Sequence, residues 1–319
     1  MNKKSKTGIS TLITIIGMIV LLVVGFVAGY YLNTGQPSNA QNNPYPEDSA
    51  WRTASIKLSG STTVLPIGNA TAIDFMNRYN TTTVTVIGGG TGVGYSNIID
   101  KQVDIGMASR EPKQTEIDNA KNNSVALWLY PIALDAVCVV VNPSVANSSY
   151  PLNLTLQEVG KIYAGTYTYW DEVKPGLPHK EIFIVIREPG SGTRGTFEEF
   201  TMTPWKYNLT TNINTRMSNP DVRSTVESTP YSIGYVGFGF LTTNMYTLAI
   251  AKDGESPYLL PTTSTILTRS YPMSRYLYFV TGSRPAAGSL ADRFISFVLS
   301  PVGQQIVESQ GFLKLPETS

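Results

Sequence analysis

From Ala54 onward, runs of strand-like and helix-like periodicity alternate. "ASIKL", "TVTVI" and "DIGMA" read as strands, and "GNATAIDFMNRY", "GYSNIIDKQ" and "KQTEIDNAKNN" between and after them read as helices. "VALWLYPIALDAVCVVVN" follows as one unusually long extended stretch. A second unit then repeats the alternation: "TLQEVGKIYAG" helical, "EIFIVI" a strand, "RGTFEEF" a helix. "YSIGYVGFGFL" is a second long extended stretch, rich in glycine, and "LADRFISFVLS" and "VGQQIVESQ" close the chain as amphipathic helices. This pattern predicts an α/β protein with helices packed on a sheet. No fixed-period repeat marks a solenoid.

The N-terminal segment differs in kind. Residues 9–32 carry no charge and are mostly apolar, with Lys3, Lys4 and Lys6 before them. At ~1.5 Å per residue such a helix spans a hydrocarbon core of ~30 Å, and the lysines favour a cytoplasmic tail at 1–8. An uncleaved transmembrane signal anchor is expected, with a cleaved signal peptide as the alternative. Residues 33–51, rich in Asn and Pro, read as a flexible linker. Asn-x-Ser/Thr sequons begin at Asn69, Asn80, Asn122, Asn147, Asn153 and Asn208. They suit a glycosylated body on the outer side of the cell membrane.

Charge and composition remove several function classes. Beyond residue 32 the chain carries 21 basic and 23 acidic residues, so no basic field invites nucleic acid. Cys138 is the only cysteine, set in "AVCVVV", and reads as a buried thiol rather than a reactive one. Without a disulfide framework, an archaeal cell surface fits better than a eukaryotic secretory one. His179 is the only histidine and reads as a loop residue. No cluster supports a metal site, a cofactor or nucleophilic catalysis, so an enzyme is not expected.

The chemistry gathers at three loops. "SGSTTVLP" places Ser61, Thr62 and Thr63 after the first strand and just before a helix. "GGGTGVG" does the same for Thr91, and "PGSGT" for Ser191, Gly192 and Thr193. Helix N-termini present unpaired N–H groups and partial positive charge, which attract anions. Each loop is also an ordinary capped turn, but three at strand ends point to a ligand beyond the carboxyl edge of a sheet. Arg187, just before the third loop, can grip two anion oxygens side by side, and Arg110 in "ASREP" is a second candidate. Both have the alternative of an ion pair with an ordinary partner. "GSGTRG" also matches a dinucleotide-binding fingerprint, but it lies mid-chain, and residues 207–219 offer no convincing strand ending in an acid. Hydroxyls in all three loops suit a small oxyanion better.

These segments, with "DIGMASREP", "PIALDAVCVVVNP", "REPGSGTRGTF", "YPMSRYLYFVT" and "SPVGQQIVESQGF", resemble the PstS family in family order, over about residues 56–315. PstS proteins are the phosphate-binding receptors of a phosphate ABC importer. The resemblance implies a two-domain hinged periplasmic-binding-protein fold (type II) with two crossover strands. It puts domain I at 52–134 and 242–319 and domain II at 135–241. It further implies a monomer that holds inorganic phosphate between the domains and delivers it to permease and ATPase subunits. Thr62, Thr63 and Thr91 fall on first-domain ligand positions, and Arg187, Ser191, Gly192 and Thr193 on the second-domain cluster. One position departs. Where some members carry an aspartate that accepts the phosphate proton, this chain has Ser109-Arg110-Glu111. Asp135 is the substitute candidate and Glu111 the fallback, with a hinge residue bonded to backbone as the other reading of Asp135. Sulfate, molybdate or tungstate binding, or a sensor without a transporter, stay open.

Overall fold

In the computed structural model the long apolar stretch becomes the axis of the molecule. The structure describes residues 53–80, 83–254 and 256–316, and the anchor and linker expected at 9–32 and 33–51 lie outside them. These described residues belong to one unit, Asp48–Ser319. Among them no helix is long and apolar enough to cross a membrane.

The first part runs β1 (Ser55–Gly60), α1 (Leu65–Tyr79), β2 (Thr83–Gly88), α2 (Thr91–Ile99), β3 (Ile105–Ala108), α3 (Gln114–Asn122) and β4 (Trp128–Val141). There follow β5 (Asn153–Thr155), α4 (Leu156–Tyr163), α5 (Trp170–Val173), β6 (Phe183–Arg187) and α6 (Gly192–Thr201). The chain continues through β7 (Asn214–Arg216), α7 (Asn219–Ser228), β8 (Ser232–Gly237), β9 (Tyr246–Thr247) and β10 (Ala249–Ala251). It closes with α8 (Thr263–Leu267), β11 (Ser274–Thr281), α9 (Leu290–Leu299) and α10 (Pro301–Ser309). One mixed sheet links β2, β1, β3, β11, β4, β8, β6 and β7 in that order, with β9 also on β4. β1, β2 and β3 are parallel, as are β6, β7 and β8, so helices pack on each half as the alternating pattern requires.

β4 joins the two halves. Its residues Trp128–Ala136 pair antiparallel with β11, and Val137–Val141 pair with β8. Every residue from Ile132 to Val141 is buried, so the strand is covered on both faces, with Asp135 as its one charged residue, unlike a strand with one wet side. The second long stretch, read from sequence as extended throughout, is a strand only to Gly237. Phe238–Phe240 form a 3₁₀ turn, and the Phe238 amide donates to Asp135 Oδ1 at 2.8 Å instead of to a neighbouring strand.

Segment 242–273, assigned from sequence to domain I, makes its pairings with the other half. β10 is parallel to β5, and β9 pairs Val140 and Val141. Leu248, Ile250, Ile266 and Tyr271 share a core with Val139, Leu154, Val159 and Ile162. The chain rejoins the first half at β11, whose Phe279 stacks on Phe294 of α9. The reason is local: β9 and β10 are too short to carry a period that would show where they pair.

Candidate anion-binding site

The three loops stand at the carboxyl ends of β1, β2 and β6, and the fold brings them together. After β1, the Ser61 amide donates to Met107 O at 2.8 Å, and Ser61 Oγ accepts from the Thr63 amide at 3.2 Å. This turn puts the Thr62 and Thr63 hydroxyls toward the second half. Thr63 Oγ1 lies 3.0 Å from Thr193 Oγ1 and accepts from Asn219 Nδ2 at 2.9 Å. Thr62 Oγ1 accepts from Arg187 Nη2 at 2.9 Å. After β2, Thr91 opens α2; its Oγ1 accepts from the Ser109 amide at 3.1 Å and lies 3.2 Å from Ser109 Oγ. After β6, Gly190 takes φ 89°, a left-handed turn conformation, and Ser191 caps α6 by accepting from the Arg194 amide. The Gly92 amide donates to Gly190 O at 3.0 Å, so the second and third loops also touch directly.

Gly192 explains why a glycine stands at that contact. A Cβ built there would lie 2.2 Å from both Ser109 Oγ and Thr91 Oγ1. Only a residue without a side chain lets α6 bring its first N–H groups against those hydroxyls. Behind the loop, Tyr235 stacks on Phe197 at 4.1 Å, and its phenol oxygen accepts from the Arg187 amide at 3.1 Å. An aromatic pair in the core of the second half thus fixes the end of β6.

Arg187 is 1% exposed. Its Nε and Nη2 donate to the two oxygens of Glu188, both at 2.8 Å, and its Nη1 has no partner. A guanidinium presents five donors, and a buried unsatisfied one is costly, more so when charged. Glu188 fixes the plane of the Arg187 guanidinium through these two bonds, a role that adjacency alone does not reveal.

Arg110, expected at the anion, lies elsewhere in its bonding. Nη1 and Nη2 hold the two oxygens of Glu116 at 2.7 and 2.8 Å, and the guanidinium lies over the Tyr95 ring. Tyr95 OH donates to Arg110 O, and burial raises that phenol well above its usual pKa. Asp135 is fully buried. Its Oδ2 accepts from Arg275 Nε and Nη2, and its Oδ1 from the Phe238 amide, so both oxygens have protein partners. Glu111 is exposed, and its carboxylate accepts a 3.4 Å bond from Tyr278 OH. Asn219, Glu188 and Arg275 are the residues at or beside the loops that sequence reasoning missed.

Cys138 is fully buried, and burial followed by the nearby Asp135 charge raises its thiol above the usual range. His179 sits exposed against Asp171 and Tyr169. Among the described residues no three His, Cys, Asp or Glu gather so as to hold a metal ion. A cavity of about 650 Å³ lined by Ile56, Ile98, Val125 and Leu290 contains none of the loop residues.

A family model described as the PBP superfamily domain matches residues 46–302. The chain belongs to the PBP superfamily, among the PstS proteins. This PstS-family chain is 31% identical over 273 residues to Protein SphX of Synechocystis sp., covering 82% of this chain and 79% of that one. It is 28% identical to the phosphate-binding protein PstS of Borreliella burgdorferi, over 81% of this chain and 89% of that one. Its structure resembles that of a candidate phosphate ABC transporter substrate-binding protein from Clostridium perfringens with bound phosphate. The TM-score is 0.70 at 27% identity, covering 82% of this chain and all of that one. An ABC-type phosphate transport receptor from Vibrio cholerae gives 0.65 at 25%, over 82% of this chain. The PstS-family fold is thus an α/β periplasmic-binding-protein-like fold with a curled mixed sheet.

Proposed function

We propose that the chain is an extracytoplasmic receptor that captures inorganic phosphate between two lobes and delivers it to the permease and ATPase of an ABC importer. The observation that carries this reading is Arg187. A buried guanidinium from one half reaches a threonine hydroxyl of the other and keeps one N–H edge without a protein partner. Around it stand Thr62, Thr63, Thr91, Ser109, Ser191 and Thr193, with the free amides at the start of α6. They form a shell of donors for a small tetrahedral oxyanion. The relatives named for phosphate, and the phosphate-bound neighbour, support phosphate as that anion. The lobes are 52–134 with 274–319, and 135–273, and closure is hinge-like about β4 and the turn at 238–240. Such a receptor binds and releases without chemistry and works as a monomer.

Residues 9–32 serve as an uncleaved anchor that holds this body outside the cell membrane. A soluble mature product whose N-terminus begins near residues 35–50 would rule that out. Glycans at the sequons belong to the same reading; Asn69, Asn122, Asn153 and Asn208 are exposed.

Sulfate is the second reading, because one observation favours it. The carboxylates nearest the loops, Glu188 and Asp135, have both oxygens bonded to protein donors. Phosphate near neutral pH carries a proton that wants an acceptor, and sulfate carries none. Calorimetric titration of the wild type and Arg187→Ala with phosphate, sulfate, arsenate and molybdate separates the two. Phosphate binding that weakens at least about tenfold in Arg187→Ala is expected, since a hydrogen bond to a charged group is worth ~1.5–3 kcal/mol. Unchanged binding removes Arg187 from the site, and wild-type affinity for sulfate equal to that for phosphate overturns the phosphate reading.

A further inference from the structure

Arg275 belongs to none of the three loops. It is the second residue of β11, where the antiparallel register sets it opposite Asp135. Its side chain is buried, with Nε and Nη2 on Asp135 Oδ2 at 2.9 and 2.7 Å. Nη2 also donates to Thr193 Oγ1 at 3.2 Å, and Nη1 has no partner.

Arg187 has the same arrangement from the other half. There too Nε and Nη2 rest on one carboxylate, Nη2 also reaches a threonine, and Nη1 is unpartnered. The two cross over: Arg187 of β6 bonds Thr62 after β1, and Arg275 of β11 bonds Thr193 at the start of α6. Thr63 follows Thr62 and lies 3.0 Å from Thr193, so the two guanidinium groups end one run of hydroxyls. The third such nitrogen among the described residues, Arg110 Nε, differs. Arg110 spends its Nη atoms on Glu116 and the Glu111 carbonyl and bonds no loop hydroxyl.

Resting on the phosphate-receptor reading, we propose that Arg275 is a second guanidinium ligand of the anion, donating through Nη1, and that Asp135 is the positioning residue that fixes its plane. A buried charged donor without a partner is among the costlier defects a protein interior carries, and an anion oxygen relieves it. The assignment also accounts for Asp135. Its carboxylate stands at the crossover as the counter-ion of Arg275, as Glu188 is for Arg187. Two arginines and two carboxylates leave the four side chains with no net charge. The anion is then held by directed N–H groups and helix N-termini rather than by excess positive charge.

The test is calorimetric titration of inorganic phosphate into the full chain as wild type, Arg275→Lys, and the double variant Asp135→Asn with Arg275→Gln. The double variant replaces the ion pair by two neutral amides that keep a hydrogen bond, so no buried charge is stranded. It is expected to melt within a few degrees of wild type while its phosphate Kd weakens at least tenfold. A double variant that melts normally and binds within twofold of wild type overturns the proposal. Should the double variant fail to melt cooperatively, Arg275→Lys decides, because it keeps the charge on Asp135 and loses the planar fork. A tenfold weaker Kd together with a moved ³¹P resonance of bound phosphate supports direct contact; an unchanged Kd and resonance overturn it. Wild type that does not take up phosphate at all sinks the receptor reading beneath, an outcome distinct from any difference between variants.

Discussion

Replacing Gly192 by alanine separates closure from folding. The added Cβ would sit 2.2 Å from Ser109 Oγ and from Thr91 Oγ1, where ordinary contact begins at 3.4 Å. The loops would have to part by more than 1 Å, and the two hydroxyls cannot swing aside easily. Both are buried, and Thr91 Oγ1 holds the Ser109 amide. Overpacking of this kind costs ~1–3 kcal/mol. The overlap joins residues of opposite halves, so it exists only when those halves meet, and the cost falls on the closed, anion-holding arrangement. Phosphate affinity should drop by about 5- to 150-fold, at ~1.4 kcal/mol per factor of ten. The melting temperature without phosphate should hardly move. Gly160→Ala is the internal control. Its Cβ would meet Thr201 O at 2.1 Å, but α4 and α6 belong to the same half. That overlap must be borne by the fold itself. It should lower the melting temperature by ~2–4 °C per kcal/mol, with phosphate affinity little changed. Calorimetric Kd and thermal melts on the two variants complete the comparison. A Gly192→Ala protein that binds phosphate as wild type does would refute the reasoning, because it would mean the loops never need to approach this closely.

Three further outcomes are expected. Thr63→Val keeps the shape but strands Asn219 Nδ2 and removes one of the two partners of Thr193 Oγ1, which keeps Arg275; at ~1–3 kcal/mol for a buried unsatisfied group, calorimetry should find binding weaker by about 5- to 150-fold. Burial alone would raise the Glu158 carboxyl, but hydrogen bonds from Lys174 and Thr155 outweigh it and hold the pKa below the usual range. Its stabilisation is therefore complete above the unfolded value of ~4.3 and is lost as pH falls through the lower folded value. Melts from pH 6 downward should decline less steeply in Glu158→Gln, and parallel curves would count against the pair. Cys138, with its thiol raised by burial, should react with a thiol reagent at pH 8 no faster than the protein unfolds; rapid labelling of the native protein would contradict its placement.

Much of this molecule is written locally. The alternation that became β1 through α3 depends on residues within a few turns of one another, and so do the hydroxyls at the three strand ends. What was hidden depends on partners far along the chain. Arg275 sits in an ordinary strand, and its meaning comes from Asp135, 140 residues away. Asn219 looks like a helix start before Pro220; its role needs Thr63, 156 residues away. Arg110 misled because its ion-pair partner, Glu116, sits in the first turn of the next helix and not beside it. The glycine-rich stretch at 231–241 reads as a strand until the Asp135 carboxylate captures the Phe238 amide. β7 lies in the region read as offering no strand that ends in an acid, and it ends in Arg216; its three residues, "NTR", are too few to carry a usable period.

The handover on β4 from one pairing partner to another, at Ala136 and Val137, has a consequence for how such receptors can be recombined. No tether joins the two bodies there that could be cut, lengthened or spliced. A break at the handover would expose the ends of a segment buried on both faces, Ile132 through Val141, and leave each fragment with a sticky sheet edge. Neither lobe should therefore be obtainable as a separate soluble fragment. Chimaeras between relatives would best exchange material outside this strand, before Trp128 or after Asn142, so that the whole of β4 comes from a single parent.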